Sequence, residues 1–442
     1  MSEFKEDAFA EISSTGGLFA TPSREGRATV RSLLTVSVLL LVLWALPAQA
    51  AFRIEPRLTL RQEFTDNLFL TATNKRSDFI TTIAPGILLT YDARLLDLEL
   101  DYGLNFLKYL HNDDEDETRL KDIQRVRLDG TFRPERDFSV SFSDEFQRVT
   151  VDERRPIDEE SPFVNRANRN LLIVNPEYRT RRFGIFEPAV GYIYERIDFV
   201  GPEGDDSYSH IVYTDLRRQF NPRTEGILGA RQRFYRSDGQ DDFGRSDDYN
   251  RLDLTGRLNY RFGPALSLSA GGGSGWISYR QRSNEQALLW DLALDYEPGP
   301  RWRSGILYRQ DFVQTVDRGL TRSRRVEASF DYLERLPTRL LVYARDEKFQ
   351  SEDREDRSVG TEVRVSVPFA GRLALDFSGD ASIWRFKPEN EDVFRYSAGL
   401  AARYRIRWGF LSAGYRYRVS DSDLDENDYR SNVIFVQGNL IF

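Results

Sequence analysis

Apolar and polar residues alternate along most of this chain with a period of two. Between Arg251 and Phe262 the leucines and aromatic residues fall on even positions, and the charged residues fall on odd ones. Successive side chains of a strand point to opposite faces of a sheet, so this pattern predicts β-strands with one apolar and one charged face. The same alternation recurs in the segments that begin near Leu96, Trp302 and Val359. In the second of these, Trp302, Ile306, Tyr308 and Phe312 are predicted to lie on the apolar face.

The connections between these segments alternate between short and long. Short joints, most of which carry proline or glycine, lie at 92–94, 133–136, 179–183, 221–223, 262–264, 297–300, 335–337, 368–371 and 406–409. Long acidic connections lie at 66–78, 111–122, 149–170, 200–208, 237–248, 351–356, 387–392 and 420–428. Short periplasmic turns and long extracellular loops are typical of transmembrane β-barrels. We therefore predict an all-β, antiparallel, up-and-down barrel of about twenty strands, with eighteen as the alternative.

The chain ends on a segment that suits the last strand of such a barrel. Ile434, Val436, Leu440 and Phe442 fall on one face at period two, and the final residue is aromatic. We interpret these four residues as the membrane-insertion signal that the barrel-assembly machinery would use. The same segment is expected to close the barrel by pairing with the first strand.

The N-terminal region resembles a secretory signal. Three arginines precede an apolar run from Leu33 to Leu46, and a Pro-Ala-Gln-Ala sequence ends at Ala50. The run is shorter than the roughly 20 apolar residues of a spanning helix, so we predict cleavage after Ala50. The predicted domains are therefore a leader, 1–50, and a barrel, 51–442. An uncleaved anchor is the alternative, and the polar first residues leave open whether residues 1–26 are translated.

The charged faces are predicted to line the interior of the barrel. An arginine facing hydrocarbon at the bilayer midplane costs roughly 2 to 4 kcal/mol, so the apolar face must meet lipid. The alternative is a soluble β-sandwich with one solvated face. The candidate pore-lining residues are Asp97, Glu99, Asp101, Arg125, Arg127, Asp129, Arg251, Asp253, Arg257, Arg261, Arg303, Arg309, Glu362, Arg364, Arg403, Arg405, Arg416 and Arg418. Arg125, Arg127 and Asp129 are expected to face the same way as Asp97, Glu99 and Asp101 of the preceding segment, which permits cross-strand ion pairs. Arg403, Arg405, Arg416 and Arg418 form a basic cluster late in the chain. The set suggests either a guide for anionic solutes or a lumen blocked by arginine–carboxylate pairs.

Composition restricts the chemistry further. The chain has no cysteine, which excludes disulfides, thiolate metal sites and a cysteine nucleophile. Its net charge of −8 argues against a nucleic-acid partner. Only two histidines, His111 and His210, could serve a barrel hydrolase, and a solvated rim histidine is the simpler interpretation of His210. The glycine run 271–275 lacks the lysine of a phosphate loop and is expected to permit bending of the wall. We expect no cofactor and no metal.

Residues 51–109 resemble a family of bacterial outer-membrane β-barrel porins found with exopolysaccharide and PEP-CTERM sorting systems. The matching parts are the segment from Gln62 to Leu70, which contains Thr65-Asp66-Asn67, and the strand that contains Pro85-Gly86. The resemblance implies an envelope role near polysaccharide secretion, but it assigns no catalytic or ligand-binding residue. Asp66 and Asn67 are themselves typical of an Asx turn.

Taken together, these features predict an integral protein of the Gram-negative outer membrane with periplasmic termini. We expect a porin-like channel for polar or anionic solutes, with assistance to exopolysaccharide export as a further hypothesis. The alternatives are a structural or adhesion barrel with a plugged lumen and a barrel hydrolase that uses His210. The expected partners are outer-membrane lipid, lipopolysaccharide, the barrel-assembly machinery and polysaccharide-secretion components. The connection Val149 to Asn170 is long enough to constrict the lumen.

Overall fold

The structure is a computed structural model that describes residues 51–150, 166–200, 204–239, 244, 246–314, 320–349, 354–388 and 390–442. The predicted leader and most of the connection between Val149 and Asn170 lie outside these residues.

The described residues form 21 strand segments and three short helical turns. The strands are β1 (Ala51–Thr65), β2 (Asp78–Asp92), β3 (Leu96–Leu104), β4 (Phe106–Tyr109), β5 (Gln124–Glu135), β6 (Phe138–Thr150), β7 (Arg166–Arg179), β8 (Phe186–Val200), β9 (Ser207–Asn221), β10 (Thr224–Ser237), β11 (Tyr249–Arg261), β12 (Leu266–Tyr279), β13 (Glu285–Gly299), β14 (Trp302–Gln314), β15 (Leu320–Tyr332), β16 (Thr338–Phe349), β17 (Glu355–Ala370), β18 (Leu373–Lys387), β19 (Glu391–Ile406), β20 (Gly409–Ser422) and β21 (Tyr429–Ile441). The helical turns are α1 (Leu120–Ile123) and two 3₁₀ turns, Asp113–Glu115 and Asp425–Asn427. None of the described helices has the length and apolar character needed to cross a membrane.

The strands form one closed antiparallel sheet. Each strand pairs with its neighbours in the chain, and β1 pairs with β21 from Arg57 opposite Ile441 to Thr65 opposite Val433. β3 and β4 pair with β2 in one continuous register on either side of Asn105, so they form a single strand of the barrel. The barrel therefore has 20 strands, which confirms the number predicted from the sequence.

The two ends of the barrel differ in their connections. At one end, which we call the turn end, the strands are joined by two to six residues; at the other, the loop end, three to fifteen residues join them. The alternation of short and long connections is as predicted. The sequence pattern missed two loop-end connections, 280–284 and 315–319, because neither carries the acidic run that marks most of the others.

Three turns are displaced from their predicted positions because proline lies within the strand end. β5 extends to Glu135 and β13 to Gly299, past Pro134 and Pro298. The pairing register shifts at each of these places, and again beside Pro368 in β17. Proline cannot donate a ladder hydrogen bond, so a bulge at the strand end accommodates it without ending the strand.

The Thr65-Asp66-Asn67 segment joins the first strand to the last at the closing seam. The Asp66 carboxylate accepts hydrogen bonds from the backbone N–H and the side-chain Nδ2 of Asn432, at 2.7 and 2.6 Å. The Asn67 side chain donates to the carbonyls of Thr71 and Arg430 and accepts from the Thr71 N–H. The hydrogen bonds between Asn67 and Thr71 agree with the predicted local turn. The hydrogen bond from Asn67 to the Arg430 carbonyl also ties this loop to β21, a contact that the sequence did not indicate.

One face of the closed sheet is an apolar band between two sets of aromatic residues. Exposed aromatics near the loop end are Phe79, Tyr208, Phe234, Trp276 and Phe394, and those near the turn end are Phe132, Phe220, Phe262, Tyr296, Trp302 and Tyr404. Phe394 and Tyr404 lie ten residues apart on β19, about 33 Å along the strand, which a tilt of about 40° reduces to about 25 Å of height. Leu98 and Leu100 share this face by register but are buried.

We expect a charged side chain within this apolar band to destabilise the barrel. Leu400 lies midway between the two aromatic sets on β19, so Leu400→Arg should lower the free energy of unfolding by about 2 to 4 kcal/mol in a bilayer. Ser378 is the matched control, because it lies on the other face of the adjacent strand, opposite Gly399. Urea unfolding in lipid vesicles measures both variants. Equal losses for Leu400→Arg and Ser378→Arg would contradict the assignment of the faces.

Candidate functional site: the inner wall

Contacts between strands that are not neighbours identify the inner face of the barrel. Side chains converge on the concave side of a closed sheet, so only there do residues two strands apart meet. The Arg57 guanidinium on β1 reaches the Asp101 carboxylate on β3 at 3.3 Å. Arg233 on β10 likewise reaches Glu195 on β8, at 3.1 Å. Charged residues make these contacts, so the charged face is the inner one.

The registers place every predicted pore-lining residue on this inner face. By alternation from the contacts that cross strands, the inner set includes Asp97, Glu99, Asp101, Arg125, Arg127, Asp129, Arg251, Asp253, Arg257, Arg261, Arg303, Arg309, Glu362, Arg364, Arg403, Arg405, Arg416 and Arg418. Ile434, Val436 and Leu440 point outward on β21, and Phe442 follows it with an exposed side chain.

The predicted ion pairs between β3 and β5 form only in part. Asp97 on β3 does bind an arginine of β5, but that arginine is Arg133, which lies outside the predicted set. Arg127 lies opposite Asp101 but binds Asp129 on its own strand, with Nε 2.7 Å from the carboxylate. Asp101 instead receives Arg57 from across β2. A concave wall offers partners two strands away, and a linear sequence does not reveal them.

The inner wall has two zones of opposite character. Toward the turn end, more than half of each side chain of Arg303, Arg309 and Arg364 is exposed. Toward the loop end, Ile277, Thr321 and Phe386 on the inner wall are almost completely buried. The lumen is therefore polar and accessible in its turn-end half and packed in its loop-end half.

The loop-end part of β14 leaves the barrel wall. Pairing between β13 and β14 ends at Trp290 opposite Gln310, although β14 continues to Gln314 and remains paired with β15. Arg251 on β11 donates from Nη1 to the carbonyl of Phe312 at 3.2 Å. In an undistorted wall, β14 would lie about 14 Å from β11 along the sheet, beyond the reach of an arginine. The end of β14 therefore leans inward over β12 and β13.

Apolar packing confirms this inward position. The Phe312 ring packs in one cluster with Ile277, Leu289 and Leu320, and the first two lie on the inner face of β12 and β13. The sequence pattern predicted that Phe312 would face lipid together with Trp302, Ile306 and Tyr308. Trp302 and Ile306 are exposed on the outer face, but Phe312 is buried inside the barrel. The prediction was wrong for Phe312 because the strand bends between Gln310 and Phe312. We call Gln310–Val313 and Leu320–Arg324 the infolded segment.

A row of three arginines crosses the inner wall directly beside the infolded segment, on its turn-end side. Arg309 lies opposite Arg325, and Arg325 lies opposite Arg345, on three adjacent strands. Of the three, only Arg309 is among the pore-lining residues predicted from the sequence. The period-two alternation of β15 and β16 is the signal in the sequence that reveals the other two.

A cavity of about 410 Å³ lies in the turn-end zone between β15 and β20. Among its lining residues are Asp331, Arg339, Arg364, Asp376, Arg403 and Arg416. Arg339 and Arg364 lie directly opposite each other, which places two like charges side by side. Of the late basic cluster predicted from the sequence, Arg403 and Arg416 reach this cavity, whereas Arg405 lies at the turn end and Arg418 is buried toward the loop end.

The glycine run of β12 provides room for charged side chains. A Cβ at Gly275 would lie 2.8 Å from the Asp253 carboxylate, and one at Gly271 would lie 3.4 Å from Arg257 Nε. Because these positions carry no side chain, Arg257 lies across β12 and approaches the Asp291 carboxylate on β13 at 3.6 Å. The register through the run is unbroken. No bulge therefore accompanies the glycines, and the bend expected there stays a prediction.

The two histidines lie apart from the inner wall. His210 is on the outer face, where its Nδ1 is 2.6 Å from the Tyr192 hydroxyl and its ring contacts Tyr194 and Tyr208. His111 is a loop residue whose Nδ1 is 3.3 Å from Asp78. Asp78 is fully buried and accepts hydrogen bonds from the loop backbone, so it acts as an anchor for that loop. In the part of the chain that the structure describes, neither histidine side chain makes a hydrogen bond to a serine or threonine hydroxyl.

Comparisons with known proteins find barrels but no close relative. No family model and no curated protein matches the chain. An iron transporter of Neisseria meningitidis, FrpB, is 11% identical with a TM-score of 0.49, over 88% of this chain and 81% of the other. The siderophore receptor PirA of Pseudomonas aeruginosa is 12% identical with a TM-score of 0.47, over 88% and 80% of the two chains. An outer membrane protein of Vibrio cholerae, OmpT without loop L8, is 10% identical with a TM-score of 0.36, over 89% and 99%. Identities and TM-scores this low support no conclusion about function. The strand registers by themselves define the barrel.

The close approach at Gly273 gives a test of the inner-wall packing. A Cβ there would lie 2.2 Å from the Leu254 carbonyl oxygen, so Gly273→Ala should destabilise the barrel by about 1 to 3 kcal/mol. Gly103 is the control, because its Cβ would meet only the Pro85 carbonyl, at 3.9 Å. Urea unfolding in vesicles, followed by tryptophan fluorescence, compares the two. Equal midpoints for both variants would contradict the described approach of β12 to β11.

Proposed function

We propose that this protein is an integral outer-membrane barrel through which polar, preferentially anionic solutes pass. The observation that carries the proposal is the partition of the wall: the outer face is an apolar band between aromatic sets, and the inner face is charged and partly exposed. A wall of this kind suits a bilayer on one side and water on the other. Export beyond the inner membrane follows from the leader predicted in residues 1–50.

The preference for anions follows from the arginines of the turn-end zone. The cavity there combines Arg339, Arg364, Arg403 and Arg416 with two aspartates. Arg403 is held by Asp376 at 2.9 Å, but Arg339 and Arg364 lie 4.0 and 3.7 Å from their nearest carboxylates. These two guanidinium groups are more than half exposed, so they present N–H donors to the lumen. Arginine binds carboxylates and phosphates in bidentate geometry.

Acidic polysaccharide is the larger solute that this wall would suit. The sequence resemblance implies a role beside polysaccharide secretion, and a glycan rich in carboxylates offers the charge that exposed arginines bind. We include assistance to exopolysaccharide export in the proposal on this chemical ground. Polysaccharide-secretion components would then be partners at the turn end, and lipid and lipopolysaccharide would surround the aromatic sets.

A barrel with a permanently blocked lumen is the second candidate, and the packed loop-end zone favours it. Phe386, Thr321 and Ile277 are inner residues with almost no exposed surface. A structural or adhesion barrel would need no passage and could keep this zone filled. A hydrolase is not proposed, because His210 lies on the outer face among tyrosines.

Conductance in planar bilayers separates these functions. We expect the wild-type protein to conduct and to prefer chloride over potassium in a salt gradient. The double variant Arg339→Gln, Arg364→Gln should lower the anion-to-cation permeability ratio, because it removes two exposed charges from the lumen. Arg301→Gln is the matched control, since Arg301 is an exposed residue in a short turn and pairs with Glu334. A closed barrel, or a cation preference, would contradict the proposal.

Binding of an acidic glycan can be measured in the same bilayers. An acidic oligosaccharide should interrupt the current in a concentration-dependent way, and a neutral oligosaccharide of the same length should not. The effect should weaken with salt, because exposed charges are screened. Equal block by both oligosaccharides would contradict a role for the arginines in recognising the glycan.

A further inference from the structure

We propose that the infolded segment and the arginine row beside it form one constriction, which selects carboxylate-bearing solutes. This inference rests on the proposed passage and adds the place where selection occurs. The infolded segment reduces the width of the lumen, and the row of Arg309, Arg325 and Arg345 lines the wall where the segment departs from it.

Arg251 holds the segment over the lumen. Its Nη1 donates to the Phe312 carbonyl, its Nη2 lies 2.7 Å from Asp311, and its guanidinium stacks 5.0 Å from the centre of the Phe312 ring. Asp253 on the same strand accepts from Nε at 2.7 Å and fixes the orientation of the group. A second tether comes from Gln310, whose Nε2 donates to the Leu288 carbonyl at 2.5 Å.

The apolar cluster stabilises the infolded segment in its inward position. Phe312 and Leu320 project from the side of the infolded segment that faces the wall and pack against Ile277 and Leu289. All four side chains are buried. Releasing the segment would expose them to water, at a cost of about 1.5 to 3 kcal/mol for each fully buried apolar side chain.

The arginines of the row have carboxylate partners, but one of these carboxylates is shared. Asp291 is bound by Arg309 at 2.8 Å and lies 3.6 Å from Arg257. Arg325 has Glu327 as its partner, and Arg345 lies 3.9 Å from Glu347. Arg309 therefore divides its carboxylate with a second guanidinium group.

Like charges placed directly opposite on neighbouring strands repel each other, and three in succession are unfavourable without an anion between them. Arg309 and Arg325 remain about half exposed, so they retain N–H groups for a ligand. A carboxylate can accept two parallel hydrogen bonds from one guanidinium, which lysine cannot provide. The row thus matches solutes that carry carboxylates.

The first experiment tests the arginine row. Arg325→Gln should lower the anion-to-cation permeability ratio and weaken block by an acidic oligosaccharide, because it removes the central charge. Arg325→Lys keeps the charge but loses the planar fork, so it should preserve the permeability ratio and still weaken the block. Arg301→Gln, in a short turn, serves as the control for charge alone. If both Arg325 variants behave like wild type while the wild type conducts, the row is not the selective site.

The second experiment tests the infolded segment. Asp311→Asn removes the charged partner that Arg251 has within the infolded segment, and Arg251→Gln removes the whole contact, so both should raise the single-channel conductance. The chain has no cysteine, so Leu289→Cys with Phe312→Cys introduces one defined pair. A disulfide should form on mild oxidation, as a gel-mobility shift shows, and it should restore wild-type conductance to the Asp311→Asn variant.

These measurements separate the constriction from the passage itself. A wild-type barrel that never conducts contradicts the proposed function, and with it this inference. A conducting barrel in which the cysteine pair does not cross-link, or in which Asp311→Asn and Arg251→Gln leave conductance unchanged, overturns the constriction and leaves the passage standing.

Discussion

The structure depends on closure of the sheet between β1 and β21. In hydrocarbon no water is present to satisfy an unpaired backbone N–H or carbonyl group, so a spanning sheet must have no free edge. The pairing from Arg57 to Thr65 with β21 removes that edge. Asp66 and Asn67 extend the seam into the first loop, where side chains take over from backbone pairing. Once the sheet is closed, the period of two in the sequence divides its residues into an outer and an inner set.

The inner set contains many arginines because the curved wall allows them to be paired. On a concave surface, carboxylates two strands away come within reach, as Arg57 with Asp101 and Arg233 with Glu195 demonstrate. The glycines of β12 increase this reach by leaving space above the strand. Pairing offsets much of this charge, although like charges lie directly opposite each other at places such as the arginine row.

Sequence periodicity was sufficient for the architecture and for the assignment of faces. Because side chains alternate strictly between the two faces, Leu254 and Arg257 fall on opposite faces, and a shift of the strand by one residue would exchange them. It could not reveal the inward bend at Gln310, because that bend is set by contacts between distant strands. By alternation Phe312 occupies an outward position, yet its side chain lies inside the barrel. Likewise, the sequence predicts turns at Pro134 and Pro298, although bulges accommodate these prolines within strands.

Single-cysteine scanning of β11 tests the partition of faces most directly. With no native cysteine, each position from Thr255 to Arg261 can be replaced in turn and labelled in intact lipid vesicles. The account predicts that odd positions react with a charged, water-soluble maleimide and that even positions are shielded from it but contact lipid-linked quenchers. Uniform labelling, or the opposite alternation, would contradict a barrel whose charged face encloses the lumen.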